Sequence, residues 1–263
     1  MPYADVNDAR LHYRLDGPEH APVLVLANSL GTDLGMWEPQ LPAFARRFRV
    51  LRYDSRGHGA SQVTPGPYSI EQLAGDVVGL LDALGIRRAH FCGLSLGGMV
   101  GQWLGVNAGE RLRRLVLCNT AARIAPPELW NNRIMAVQKG GMAAITPAVL
   151  ERWFTAAFLK QSPAAIEPVR ATLLATPPEG YVACCAAVRD MDQRQAISAI
   201  RCPTLVIAGT QDQATPPADG RFLAEQIGGA EYVELDAAHL SNIEKADPFT
   251  DAVLGFLGRE EEP

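Results

Sequence analysis

Ser95 lies in the pentapeptide Gly93-Leu94-Ser95-Leu96-Gly97. A serine flanked in this way serves as a nucleophile when the chain makes a sharp strand-to-helix turn around it. Ala89–Cys92 reads as a buried strand, and Gly98-Met99-Val100-Gly101-Gln102-Trp103-Leu104 is compatible with a helix, so the context fits. Glycines at 93 and 97 leave room in so tight a turn, and Gly98 lets the helix pack close to the sheet. The plainer alternative is a Gly-rich turn that merely contains a serine.

A serine hydroxyl needs a base, and around such an elbow the partners follow in the order serine, acid, histidine. Of the five histidines, only His239 comes after Ser95. It stands in Leu235-Asp236-Ala237-Ala238-His239, just past the final strand-like run. The acid is expected beyond the penultimate strand, where Thr204–Ala208 runs into Gly209-Thr210-Gln211-Asp212. Asp212 precedes His239 by 239 − 212 = 27 residues, room for one helix and one strand. Asp236 and Asp190 are rivals for the same role. In this assignment His239 accepts the serine proton, and Asp212 fixes the imidazole tautomer and stabilises the imidazolium. The developing oxyanion needs two backbone N–H donors. One is assigned to Leu96 and the other to the loop Asn28-Ser29-Leu30-Gly31, at Leu30 with Ser29 as the alternative.

These groups must be held by a sheet. Continuous apolar runs at Val23–Ala27, Val50–Tyr53, His90–Cys92, Leu115–Cys118 and Thr204–Ala208 are the mark of strands buried on both faces. Tyr3–Val6 and Leu11–Leu15, with a turn at Asn7-Asp8, open the fold, and Tyr232–Leu235 closes it. Between Ile70 and Leu84, apolar residues recur at helical spacing until Gly85 stops the helix. The alternation predicts an α/β fold, a mostly parallel, doubly wound sheet of about eight strands. It breaks between Ala121 and Ala199, where helical spacing, Pro and Gly interruptions and no strand-like run suggest an inserted helical cap. The expected organisation is therefore a core of residues 1–121 and 200–263 with a cap or lid at 122–199.

The 263 residues are 48% hydrophobic and 20% charged, ordinary for a globular protein, and the net charge of −5 argues against a nucleic-acid partner. Five cysteines without a CxxC pair suggest free thiols in a reducing compartment. The first residues, Met1-Pro2-Tyr3-Ala4-Asp5, show no signal-peptide pattern, and no apolar run is long enough to cross a bilayer, so a cytoplasmic protein without a membrane partner is expected. No His, Cys and carboxylate cluster has metal-ligand spacing, and no dinucleotide fingerprint follows a strand; neither metal nor cofactor is expected. Asp54-Ser55-Arg56-Gly57-His58-Gly59 lacks the Lys-Ser/Thr of a phosphate loop and reads as a loop held by an Asp–Arg network. An acidic tail, Glu260-Glu261-Glu262, ends the chain.

In the cap, Trp130, Arg133, Arg152 and Trp153 have two readings: buried tryptophans with solvated arginines, or pocket lining with an arginine facing a substrate carboxylate. Arg133, beside Trp130 and Asn131-Asn132, is the preferred arginine, and Trp130 and Trp153 are the aromatic candidates.

Several stretches resemble one family: Leu11–Pro18, Asn28-Ser29-Leu30-Gly31-Thr32-Asp33, Leu51–Gly59, Phe91-Cys92-Gly93-Leu94-Ser95, Leu117-Cys118-Asn119-Thr120-Ala121, Ala175–Pro178 with Gly180-Tyr181, and Ala183–Ala187. The chain is similar, through nearly its whole length, to the 3-oxoadipate enol-lactonases of the α/β-hydrolase superfamily. The resemblance implies an α/β-hydrolase fold and hydrolysis of a small lactone that bears a carboxylate, in bacterial aromatic degradation. It gives the cap arginine a reason to exist. A general carboxylesterase or cofactor-free perhydrolase would share the same triad, as would a slow-turnover ligand-binding receptor. Relatives that attack with Asp, such as dehalogenases and epoxide hydrolases, are disfavoured by Ser95. Oligomeric state is not legible.

Overall fold

In the computed structural model of the protein, residues 2–124 and 126–259 are described, so the acidic tail at 260–262 lies outside them. The strands are β1 Tyr3–Val6, β2 Ala9–Asp16, β3 Val23–Ala27, β4 Arg49–Tyr53, β5 Ala89–Leu94, β6 Leu112–Cys118, β7 Thr204–Gly209 and β8 Glu231–Leu235. They form one sheet in the order β1-β2-β4-β3-β5-β6-β7-β8. β1 and β2 pair antiparallel, as do β2 and β4, and every other pair is parallel. Every residue of β5 and β7 is buried, because helices cover both faces of a parallel sheet.

The helices are α1 Leu41–Phe44, α2 Ile70–Ala83, α3 Leu96–Asn107, α4 Pro127–Gly140, α5 Thr146–Trp153, α6 Ala156–Gln161, α7 Pro163–Ala175, α8 Pro178–Asp190, α9 Pro217–Gln226, α10 Ser241–Glu244 and α11 Ala246–Leu257. α2 shows how locally these are encoded. Ser69 accepts the Gln72 N–H at 3.0 Å as its N-cap, Leu73, Val77, Leu80 and Leu81 are buried, and Gly85 at φ 65° turns the chain away.

Between β6 and β7 the described residues form α4 to α8 and no strand. Three of the prolines that punctuate this stretch start helices: Pro127, Pro163 and Pro178 each occupy the first helical position, where an N–H is not needed. α8 seats directly on the loop after β4. A Cβ on Gly180 would clash with the Gly57 carbonyl, and Tyr68 N–H donates to Ala183 O at 3.2 Å. Only glycine at both positions permits so close an approach.

The 54–59 loop does contain an Asp–Arg network, but Asp54 is not its acid. Arg56 binds Asp76 through Nε and Nη2 at 2.8 and 2.7 Å, and reaches Asp8 at 2.6 Å. Asp54 instead takes His12 Nδ1 at 2.7 Å and the N–H groups of Leu34 and Ala60. Two separate networks thus hold the loop, a partition that residue spacing does not reveal.

β3 adjoins β4 on one side and β5 on the other, so connections from its neighbours part at their carboxyl ends. Such a switch point opens a crevice at the sheet's edge, where ligands of open α/β sheets bind.

Candidate active site

Ser95 stands at this crevice, between β5 and α3, with φ 57° and ψ −113°. That left-handed conformation is strained for a side-chain-bearing residue, and the surroundings enforce it. Ser95 N–H donates to Cys118 O at 2.8 Å, and its own carbonyl accepts from the Thr120 hydroxyl at 2.8 Å and Met99 N–H at 3.0 Å. The glycines have individual reasons. A Cβ on Gly93 would strike the Gly97 carbonyl, one on Gly97 would strike the Ala27 carbonyl, and one on Gly98 would lie 2.6 Å from Thr120.

The loop after β3 faces this turn, tied to it by Gly97 N–H donating to Asn28 O at 3.0 Å. Its N–H groups are differently engaged. Ser29 N–H points to Met36 Sδ at 3.3 Å, Gly31 N–H to His58 Nε2 at 3.0 Å, and Thr32 N–H to Ser29 O at 3.2 Å. Leu30 N–H has no partner among the described residues. Leu96 N–H, the first of α3, likewise has none, and the positive end of the helix dipole lies there.

His239, on the loop after β8, brings Nδ1 to 2.8 Å from Asp212 Oδ2, with both side chains buried. Asp212 sits on the loop after β7 in a dense cradle. Oδ1 accepts the N–H groups of Ala214 and Thr215 at 2.8 and 3.0 Å, and Oδ2 also accepts from Thr215 Oγ1 at 2.9 Å and Asn119 Nδ2 at 3.0 Å. Burial alone pushes the carboxyl up. The charge and hydrogen bond of His239, with the Thr215 and Asn119 donors, outweigh it and hold Asp212 below the usual carboxylate range.

The rivals sit elsewhere. Asp236 accepts from Gln211 Nε2 at 2.8 Å on the surface, and Asp190 is paired with Arg189 at 2.7 Å. Neither contacts His239.

Ser95 and His239 open onto a cavity of about 550 Å³ that is also walled by Ser29 and Leu30. Residues of α4, α5 and α8 line it as well. Trp130 and Trp153 are both buried and lining, so the two readings of these tryptophans hold together. Arg133 lines the cavity with its guanidinium 4.8 Å over the Trp130 ring, and Arg152 lines it too. No aspartate or glutamate is among the lining residues, and neither arginine has an ion-pair partner among the described residues. Trp130 Nε1 is buried without a hydrogen-bond partner. Tyr181 also lines the cavity; burial pushes its phenol up, against the pull of Arg133 and Arg152, so it stays neutral.

Sequence reasoning missed Tyr181, Thr215 and Asn119 as parts of this site. Thr215 carried a faint signal, a hydroxyl three residues after an aspartate, the spacing of a local side-chain turn. Among the described residues no group of His, Cys, Asp and Glu is arranged to hold a metal ion, and no helix is long and apolar enough to cross a membrane.

Known proteins share this architecture. The model of the alpha/beta hydrolase family matches residues 24–252. The 3-oxoadipate enol-lactonase 2 of Acinetobacter baylyi is 42% identical over 96% of this chain and 94% of its own, and enol-lactonase 1 of that organism is 39% identical over 94% and 92%. The crystal structure of the enol-lactonase from Burkholderia xenovorans superposes with a TM-score of 0.97 at 53% identity, covering 98% of this chain and all of that one. The chain belongs to the alpha/beta hydrolase family and groups within it with the 3-oxoadipate enol-lactonases.

Proposed function

We propose that the protein hydrolyses 3-oxoadipate enol-lactone to 3-oxoadipate through an acyl-enzyme on Ser95, as a cytoplasmic step of aromatic-compound degradation. The observation that carries this reading is the cavity itself. It is lined by a serine, a histidine and two arginines with no acidic residue among its lining, which suits an ester that bears a carboxylate.

Ser95 Oγ attacks the lactone carbonyl while His239 Nε2 takes its proton, and Asp212 stabilises the resulting imidazolium. The N–H groups of Leu30 and Leu96 receive the oxyanion. Collapse of the tetrahedral intermediate breaks the bond to the ring oxygen and expels an enolate, a better leaving group than an alkoxide. The enolate takes the proton from His239 and, being part of the acyl chain, remains on the enzyme until water, activated by His239, cleaves the ester to Ser95 and releases the acid. Tautomerisation of the enol to the ketone removes the hydroxyl that would re-close the ring.

The helices α4 to α8 act in this reading as a cap that selects the lactone. Arg133 binds the substrate carboxylate, while Trp130 and Trp153 pack against its carbon skeleton and Trp130 Nε1 offers a donor. The experiment is consumption of the enol-lactone by purified protein, followed as loss of its ultraviolet absorbance. Strong preference over p-nitrophenyl esters is expected; comparable rates on both would refute a dedicated lactonase and favour a general esterase.

A further inference from the structure

We propose that His58 is a positioning residue for the oxyanion loop: its Nε2 takes the Gly31 N–H, anchors the peptide plane that follows Leu30, and so helps to hold the Leu30 N–H in place. The inference rests on the reading of Ser95 as nucleophile and of Leu30 as an oxyanion donor.

An amide N–H can only donate, so the 3.0 Å contact from Gly31 N assigns the lone pair to His58 Nε2. The ring proton is then on Nδ1, which faces Arg56 O at 3.3 Å. A single imidazole thus spans two loops, one after β4 and one after β3, and does so at 1% exposure. The consequence for Leu30 is geometric. Leu30 N–H lies in the Ser29–Leu30 peptide plane, whose carbonyl accepts from Thr32 Oγ1 at 2.8 Å and Thr32 N–H at 3.2 Å. His58 anchors the next plane, Leu30–Gly31, through Gly31 N–H. With the planes on both sides of Leu30 held, its two dihedrals have little freedom to rotate. Gly31 itself, at φ 83°, has no side chain to hold it; a Cβ there would lie 2.7 Å from Leu173 Cδ1. On its other face, Gly31 O receives only the long contact from Thr176 Oγ1 at 3.4 Å. The imidazole is therefore the stronger of the two side-chain anchors on this residue.

His58 is not among the residues lining the cavity, so it takes no part in proton transfer to substrate. Its effect is on preorganisation. A donor displaced by about 1 Å loses on the order of a hundredfold in rate, with little effect on ground-state binding.

Two isosteres separate this role from a merely structural one. In His58→Gln the amide oxygen occupies the place of Nε2 and can accept from Gly31. In His58→Asn the shorter amide reaches the place of Nδ1, keeps the Arg56 carbonyl and leaves Gly31 bare. Both are measured with the enol-lactone and with p-nitrophenyl acetate, which needs the serine machinery but not the carboxylate-binding groups. The expected result is a fall in kcat of roughly 10- to 100-fold for His58→Asn with KM changed by less than about threefold, and recovery of most of kcat in His58→Gln. Equal impairment of both variants, a wild-type kcat in His58→Asn, or a loss confined to KM overturns the proposal. Ser95→Ala is the control. Residual turnover in it would overturn the catalytic reading instead, whatever the His58 variants do.

Discussion

Asn119 donates its side-chain amide to Asp212 Oδ2 at 3.0 Å while its own backbone sits at φ 43°. The same amide reaches Ala238 O at 3.2 Å, and Oδ1 accepts from Ser241 Oγ at 2.6 Å. One buried side chain at the end of β6 therefore ties the acid after β7 to the loop that carries His239. Asparagine suits this place because it tolerates the left-handed region better than other side-chain-bearing residues.

Removing that amide should weaken the acid more than the fold. Asn119→Gly deletes the side chain without a backbone penalty, and loss of a hydrogen bond to a carboxylate is worth about 1.5–3 kcal/mol, or roughly 10- to 100-fold in kcat/KM. Asn119→Ala should lose a further ~1 kcal/mol of stability from its Cβ at positive φ. Steady-state kinetics and chemical denaturation of both variants check this; wild-type kinetics in the glycine variant would remove Asn119 from the site.

Asp212→Asn should leave the geometry nearly intact and lower kcat by about 10⁴-fold, because the amide holds the wrong imidazole tautomer. Asp236→Asn, whose native carboxylate accepts from Gln211 on the surface, should stay near wild type. Turnover of the two variants on one substrate compares the rivals directly. A near wild-type Asp212→Asn would sink the assignment.

Arg133→Ala should raise KM for the enol-lactone by roughly 10- to 100-fold with little change in kcat, the loss expected of a charge-assisted bond to a carboxylate. The effect should be absent with p-nitrophenyl acetate, which carries no carboxylate. An unchanged KM for the lactone would exclude Arg133 as the carboxylate partner.

Burial lowers the imidazole of His58 to about 4 from an ordinary 6.5, against the opposing pull of the Arg56 carbonyl and the Asp54 charge. The Cys184 thiol at 4.0 Å and the Tyr181 ring at 6.5 Å also face it, both kept neutral by burial. A folded-state value below the unfolded one means that the unfolded chain binds the proton first. Stability contributed by His58 is therefore full above about 6.5 and is lost as pH falls towards 4, by about 3 kcal/mol in total. Asp219, pushed up to about 6 by burial and the Asp212 charge, acts in the opposite sense as pH falls from 6. Denaturation midpoints of wild type and His58→Gln between pH 7 and 4.5 should converge as the pH falls; parallel curves would contradict this.

Gly97→Ala should abolish soluble folded protein, since its Cβ would strike the Ala27 carbonyl, a backbone atom held in the sheet. Gly109→Ala, with open space around its Cβ and no positive φ, should be tolerated. Soluble yield and thermal melting distinguish the two.

How much of this was written in the chain depends on the range of the interaction. Local terms are legible: the apolar runs of β3, β5 and β7, the helical spacing and Gly85 stop of α2, and the small residues at the turn around Ser95 each show within a few residues. Chain order made Asp212 and His239 readable as well, because His239 is the one histidine that follows Ser95. What the sequence could not specify are contacts between segments far apart in it. Met36 Sδ and His58 Nε2 come from elsewhere in the chain to engage Ser29 N–H and Gly31 N–H, and Arg56 passes over Asp54 to reach Asp76. Asn119 gains its role only because β6, β7 and β8 lie side by side and bring residues 119, 212 and 238 to one edge. Such pairings follow from the order of strands in the sheet, a property of the packed whole that no spacing along the chain encodes.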